Sequence, residues 1–285
     1  MKSVLRSSIA FVCPFFFLGW IARAQQPSET HPQTFPKVTI AGSELRTMKS
    51  TSTGRNYDLY IHTPSNYSQD KTKKYPVLYI LDGQWDFKLM DSVLGGLVYD
   101  KFVPEIIMVG ITYSGENADY NGLRAMDYTP TPNPDVKGSG DGPKFLKFLK
   151  TELIPFVEAN YRTDSTRRLL QGSSYAGLFT LYAMFADTGL FSGYIAASPA
   201  VNYNGSFAFK QETEYAGTHK ELPVRLYLAV GSSEGLTVPV EEFMRTLQDR
   251  GYKGLKLETR VIEGERHASN KPELFNRGLR FVLGD

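Results

Sequence analysis

The chain has 285 residues, of which 41% are apolar, with 32 Lys and Arg against 30 Asp and Glu. That content can bury a sizeable core in one large domain or two small ones, and no segment has a disordered composition. The nearly balanced charge argues against nucleic-acid or anionic-membrane binding.

The N-terminus reads as an export signal. Lys2 and Arg6 give a positive start, residues 9–21 are apolar, and Ala22-Arg23-Ala24 forms an A-x-A cleavage site. The apolar run is short for a membrane span. A signal peptide is therefore expected over 1–24, a loose polar leader over 25–36, and a catalytic domain over 37–285. Cleavage removes Lys2, Arg6 and Arg23 and no acidic residue, so 32 basic against 30 acidic becomes 29 against 30. Cys13 is the only cysteine. The mature chain then has no disulfide and no cysteine metal site. A periplasmic or secreted protein is expected, without a membrane attachment after cleavage.

Residues 38–48 and 55–63 contain alternating segments such as Tyr57-Asp58-Leu59-Tyr60-Ile61, separated by Ser52-Thr53-Gly54. They predict an antiparallel hairpin. Tyr75-Pro76-Val77-Leu78-Tyr79-Ile80-Leu81 is a continuous apolar run, expected for a strand buried on both faces of a parallel sheet. A helix is expected over 87–99 and a second buried strand over 105–112. Residues 113–142 are rich in Gly, Pro, Asn and Asp and read as one long functional loop. An amphipathic helix follows over 143–160, with Pro155 expected to kink or split it. Later strands are expected at 193–198, 224–230 and 255–262, and helices at 238–250 and 271–283. Residues 199–220 read as a polar, aromatic excursion over the site. Strands alternating with helices predict an α/β fold with a mostly parallel sheet covered on both faces and no large lid domain.

The chain's organising stretch is Leu169-Leu170-Gln171-Gly172-Ser173-Ser174-Tyr175-Ala176-Gly177. It reads as a buried strand, a turn of small residues and the start of an apolar helix. Such a turn can carry a nucleophilic serine in a strained left-handed conformation, provided the residues two positions away are small. Gly172 and Ala176 flank Ser174 in that way, whereas Gln171 and Tyr175 flank Ser173. Ser174 is the candidate nucleophile, although Ala176 stands where the G-x-S-x-G pattern has glycine.

A base and an acid should follow in chain order. Of the four histidines, His31 lies in the leader, His62 precedes the serine, and His219 precedes a strand. His267 follows the last expected strand and is the candidate base. Glu234 directly follows the 224–230 strand and is the candidate acid, with Glu241, Glu242 and Asp249 behind it on the expected helix. The backbone N–H of Tyr175 and that of Gln84, after the Asp82-Gly83 turn, are the candidate oxyanion donors. Asp82 is expected to order that turn and to stay outside the triad.

Together Tyr75–Gly83, Arg124-Ala125-Met126-Asp127-Tyr128-Thr129-Pro130, Gly172-Ser173-Ser174-Tyr175-Ala176-Gly177 and His267-Ala268-Ser269 resemble the putative-esterase family of α/β-hydrolases, from about residue 38 to the end. The siderophore-esterase branch is the most similar. The resemblance implies an α/β-hydrolase fold, ester hydrolysis without cofactor or metal, the same Ser174 and His267, and the Gln84 amide in the oxyanion hole. The acid varies in this branch, so a Ser–His dyad stays open beside the triad with Glu234. Ala200-Val201-Asn202-Tyr203 lacks the paired tryptophans associated with siderophore esterases.

Trp85, Tyr113, Tyr128 and Tyr203 are each expected either to stack on a substrate or to pack a loop. Arg124 is expected either to meet an anionic substrate group or to pair with Asp127 or a loop carbonyl. The expected partner is a small-molecule or glycan-linked ester, of the siderophore, feruloyl or acetyl type. An acyltransferase and a non-catalytic binding protein on the same fold are the competing readings.

Overall fold

The computed structural model describes residues 38–284. The expected signal peptide and leader lie outside the described residues. Strands β1 (Ser43–Lys49) and β2 (Asn56–His62) form the antiparallel hairpin, in register from Ser43↔His62 to Lys49↔Asn56. Tyr57, Leu59 and Ile61 of β2 are buried in alternation, as a half-covered strand requires. The hairpin turn is satisfied from a distance: the Glu152 carboxylate accepts the Thr51 and Ser52 N–H groups at 2.8 and 2.9 Å.

Every residue of β3 (Tyr75–Ile80) and β4 (Ile107–Tyr113) is buried, and α1 (Gly83–Tyr99) connects them. Then come α2 (Tyr120–Asp127), α3 (Gly142–Phe148), α4 (Ile154–Asn160), β5 (Thr163–Ser173) and α5 (Tyr175–Ala186). The chain ends with β6 (Gly193–Ala197), α6 (Tyr203–Thr218), β7 (Arg225–Gly231), α7 (Thr237–Arg250), β8 (Lys256–Ile262) and α8 (Lys271–Leu283). The sheet order is β1-β2-β4-β3-β5-β6-β7-β8. β2 is antiparallel to both neighbours, and pairing from β4 through β8 is parallel.

The sheet is covered on both faces. Phe87, Met90 and Leu94 of α1 pack with Leu274, Phe275 and Leu279 of α8 on one side. Phe145, Phe148, Phe179 and Phe243 belong to the larger core on the other. The fold is an α/β-hydrolase sheet with an N-terminal antiparallel pair. Among the described residues no helix is long and apolar enough to cross a membrane.

Three features depart from the sequence reading. α1 begins at Gly83, four residues before the expected start. Second, α2 lies inside the stretch expected to be one loop: the Asp119 side chain accepts the Gly122 N–H at 3.0 Å and caps the helix, overriding the Asn and Gly of its first turn. Pro155 splits the long helix as expected, through a π-helical turn over Leu149–Leu153.

Third, the excursion after β6 is mostly the helix α6. Its buried face is Ala208, Glu212, Tyr215 and Ala216, a helical spacing disguised by the glutamate. Glu212 is fully buried because Arg250 binds both its oxygens (2.8 and 2.9 Å) and the Tyr252 hydroxyl donates to one at 2.7 Å. Before this helix settles, Asn204, Gly205 and Ser206 make a left-handed turn, all with positive φ.

Candidate active site

Two helices open side by side, at the carboxyl ends of the adjacent strands β3 and β5. The first N–H groups of any helix lack intrahelical partners and carry its positive dipole end. Gln84 occupies the second position of α1 and Tyr175 the first of α5. Among the described residues, neither backbone N–H has an acceptor. Both candidate oxyanion donors are thus free first-turn amides.

Ser174, between β5 and α5, has φ 62° and ψ −117°. Its φ is positive as expected. Its ψ places it outside the left-handed helical region, which corrects the detail of the expected conformation. The steric demand is visible at its neighbours. A β-carbon on Gly172 would stand 2.3 Å from the Ala176 carbonyl oxygen, and one on Gly177 would stand 2.9 Å from the Ala197 oxygen. Ala176 is itself fully buried, so its single methyl is accommodated where larger side chains would collide. Ser173 is buried in the strand end, whereas Ser174 is only partly covered.

The acid and base sit on the loops after β7 and β8. His267 Nδ1 lies 2.6 Å from Glu234 Oε2. The other carboxylate oxygen, Oε1, accepts three donors: Gly231 N–H and Ser198 Oγ–H at 2.7 Å each, and Asn270 Nδ2 at 3.0 Å. Asn270 also donates to Ser198 Oγ at 2.9 Å. Burial pushes the Glu234 pKa up, but the hydrogen bonds from His267, Ser198 and Gly231 outweigh it and hold the carboxyl below its ordinary value. An ionised Glu234 fixes His267 with its Nδ1 as donor and leaves Nε2 as the proton acceptor. Glu241, Glu242 and Asp249 lie on α7, outside this network.

His267 follows β8, at the sheet's far side from β3, yet its loop reaches back. Asn270 bonds Ser198 after β6, and Lys271 Nζ binds Asp86 of α1 at 2.7 Å. Ser174 N–H in turn bonds Ala197 O at 2.9 Å, and Ala200 N–H bonds Ser174 O at 3.1 Å. The same short segment after β6 is therefore tied to both the nucleophile and the acid. Among the described residues no direct Ser174–His267 hydrogen bond is formed, an interaction that in unliganded enzymes is often long.

The expected substrate-contact residues separate into two groups. Trp85 is 43% exposed and lies edge-on to Tyr120. Tyr128 is fully buried and its hydroxyl accepts the Asp82 N–H at 3.2 Å, so it packs the loop and does not face a ligand. Tyr113 is also buried. Tyr203 is buried too, with its hydroxyl donating to Thr131 O at 2.8 Å and its ring edge-on to Tyr175. Arg124 pairs with Asp82 at 2.7 Å and not with Asp127, which takes Arg55 at the same distance. Burial lifts the Asp127 pKa to about 6 although Arg55 opposes it.

Sequence reasoning missed Ser198 and Asn270. Ser198 is fully buried with φ 40°, and Asn270 is fully buried at the start of α8. The one local signal was a small polar residue directly after a strand, which Ser198 shares with many turn residues. Among the described residues no group of three or more His, Cys, Asp or Glu is arranged to hold a metal.

A serine on a strained strand-to-helix turn, with a His–Glu pair on the two following edge loops, defines an α/β-hydrolase. The model of the family described as "Putative esterase" matches residues 50–270, and the chain belongs to that family. It is 29% identical to the ferri-bacillibactin esterase BesA of Bacillus subtilis over 92% of this chain and 96% of that one. The crystal structure of the BES protein from Bacillus cereus has a TM-score of 0.79 at 27% identity, covering 88% of this chain and 98% of its own. An IroE-like serine hydrolase from Shewanella oneidensis has a TM-score of 0.74 at 25% identity, with 85% and 80% covered. The protein is an ester hydrolase.

Proposed function

We propose that the protein is an exported serine esterase working through Ser174, His267 and Glu234. His267 Nε2 takes the Ser174 hydroxyl proton as Oγ bonds the ester carbonyl carbon. The N–H groups of Gln84 and Tyr175 hold the oxyanion. On collapse, the ester C–O bond breaks and Nε2–H protonates the departing alkoxide. Water, deprotonated by the same nitrogen, then attacks the acyl-enzyme, and the acid leaves as Ser174 recovers its proton. The observation that carries this reading is the 2.6 Å Glu234–His267 contact on the loops that fold back towards Ser174.

Export is supported by the signal-like residues 1–24, and N-terminal sequencing of the mature protein should begin at Gln25. The substrate we propose is a small-molecule siderophore-type ester, on the strength of a relative named for ferri-bacillibactin and of the exposed Trp85 beside the Gln84 donor. Ser174→Ala should keep the fold and lower kcat by about 10⁴-fold or more on p-nitrophenyl acetate. Full activity in that variant, with loss in Ser173→Ala, would refute the assignment. A panel comparing a cyclic siderophore with feruloyl and acetyl esters tests the substrate; a kcat/KM favouring the latter would move the proposal to polysaccharide-linked esters.

A further inference from the structure

We infer that Arg124 is a positioning residue that sets the spacing of the two oxyanion donors by gripping the segments that carry both. The inference rests on the reading of Ser174 as nucleophile. Arg124 stands in the last turn of α2. Its Nε donates to Asp82 Oδ1 at 3.0 Å and its Nη2 to Asp82 Oδ2 at 2.7 Å, a two-pronged pair. The same Nη2 reaches the backbone oxygen of Ser173 at 3.2 Å. Asp82 lies two residues before Gln84, and Ser173 two residues before Tyr175. One planar group therefore holds equivalent points on the two donor-bearing turns.

The faces of the guanidinium repeat this arrangement. Its carbon lies 5.6 Å from the Trp85 ring centroid and 5.5 Å from that of Tyr175, within cation–π range. Trp85 directly follows Gln84, and Tyr175 is itself the second donor. Each donor turn is thus held twice, once through an acidic or carbonyl oxygen and once through an aromatic ring. Tyr128 is a third ring beside the guanidinium, at 5.8 Å, and its hydroxyl also accepts the Asp82 N–H.

The Asp82 turn needs such a grip. Asp82 has φ 54°, an unfavourable conformation for a non-glycine residue, and a β-carbon on Gly83 would stand 2.9 Å from the Gly110 backbone. The turn is therefore strained and closely seated, and its Asp82 side chain is anchored to Arg124. The arginine side chain is only 12% exposed, which suits a buried brace better than a surface receptor for a ligand. A lysine could not reproduce the fork, because its single ammonium has no planar pair of donors for the carboxylate.

The alternative is that Arg124 touches an anionic group of the substrate through Nη1, which has no protein acceptor among the described residues. The two roles separate by substrate charge. Arg124→Lys and Arg124→Met should each lower kcat by about 10²-fold, with KM moving less than about threefold, equally on a neutral acetyl ester and on an ester bearing a carboxylate. Turnover is expressed per serine labelled at the endpoint by a fluorophosphonate, so that unfolded protein is not counted. Methylguanidinium should restore part of the kcat of Arg124→Ala. Asp82→Asn, which keeps the shape of the turn, should lose kcat in the same direction and carries the test if the arginine variants fold poorly.

Loss confined to the anionic ester would overturn the inference in favour of a substrate contact. An unchanged kcat per labelled serine, with only a lowered Tm, would overturn it in favour of a purely structural ion pair. If Ser174→Ala itself stayed active, the nucleophile assignment would fail first. Inactive Ser174→Ala beside fully active Arg124 variants would remove the brace alone.

Discussion

Around Ser174 the constraints are steric, and around Glu234 they are hydrogen bonds. On the nucleophile side, Gly172, Ala176 and Gly177 leave no room for larger groups, and the candidate oxyanion donors are backbone amides. On the acid–base side, three donors from three segments converge on one carboxylate oxygen and leave the other to His267. The first half is fixed by residues adjacent in the chain. The second is assembled across the ends of β6, β7 and β8. A steric elbow tolerates almost no substitution at its small residues, whereas a shared carboxylate should lose one donor and keep most of its geometry.

The largest expected effect tests whether the second half matters at all. Glu234→Gln should lower kcat by about 10⁴-fold, because the amide can present the wrong group to Nδ1. A loss under tenfold would mean that the site runs as a Ser–His dyad and that the hydrogen-bonded half is only scaffolding. Next comes the steric half: Gly172→Ala forces a β-carbon against the Ala176 carbonyl. It should cost about 3 kcal/mol of stability by denaturant titration, with activity falling alongside.

Ser198→Ala removes one of the three donors to Glu234 Oε1 and should lower kcat only about tenfold, since Gly231 and Asn270 remain. A loss as large as that of Glu234→Gln would show the network to be as brittle as the elbow.

The smallest effect lies in the β1–β2 hairpin turn. Burial raises the Glu152 pKa, but its hydrogen bonds to Thr51 and Ser52 outweigh this and lower it below the ordinary 4.5. A depressed carboxyl pKa adds stability above the unfolded value, and that stability disappears as pH falls through the folded pKa. Glu152→Gln should therefore cost about 1 kcal/mol at pH 7 and less below pH 4, with kcat unchanged. Equal destabilisation by this substitution at both pH values would remove the charge from the explanation.

The same contrast explains what could be read from the chain. The elbow was legible because its requirement is local: small residues two positions either side of Ser174. The buried runs of β3 and β4 and the helix α8 were legible because composition and period agree with burial. Ser198 and Asn270 were not, because any polar side chain could have filled a place defined only by three-dimensional neighbours. α6 was hidden by Glu212, a core position occupied by a charge whose partners Arg250 and Tyr252 lie far along the chain. Arg124 pairs with Asp82 where the sequence offers Asp127 or a loop carbonyl, since Asp127 is near in sequence and Asp82 is near in space.

The ends of the sheet have a consequence for behaviour at high concentration. β1 and β8 are the outermost strands among the described residues. An outer strand offers backbone donors and acceptors on which a second chain could polymerise. β1 carries Glu44, Arg46 and Lys49, and β8 carries Lys256, Glu258 and Arg260. An incoming strand would have to strip water from those ions, so the molecule carries its own deterrent against self-association into fibres at both borders of the sheet.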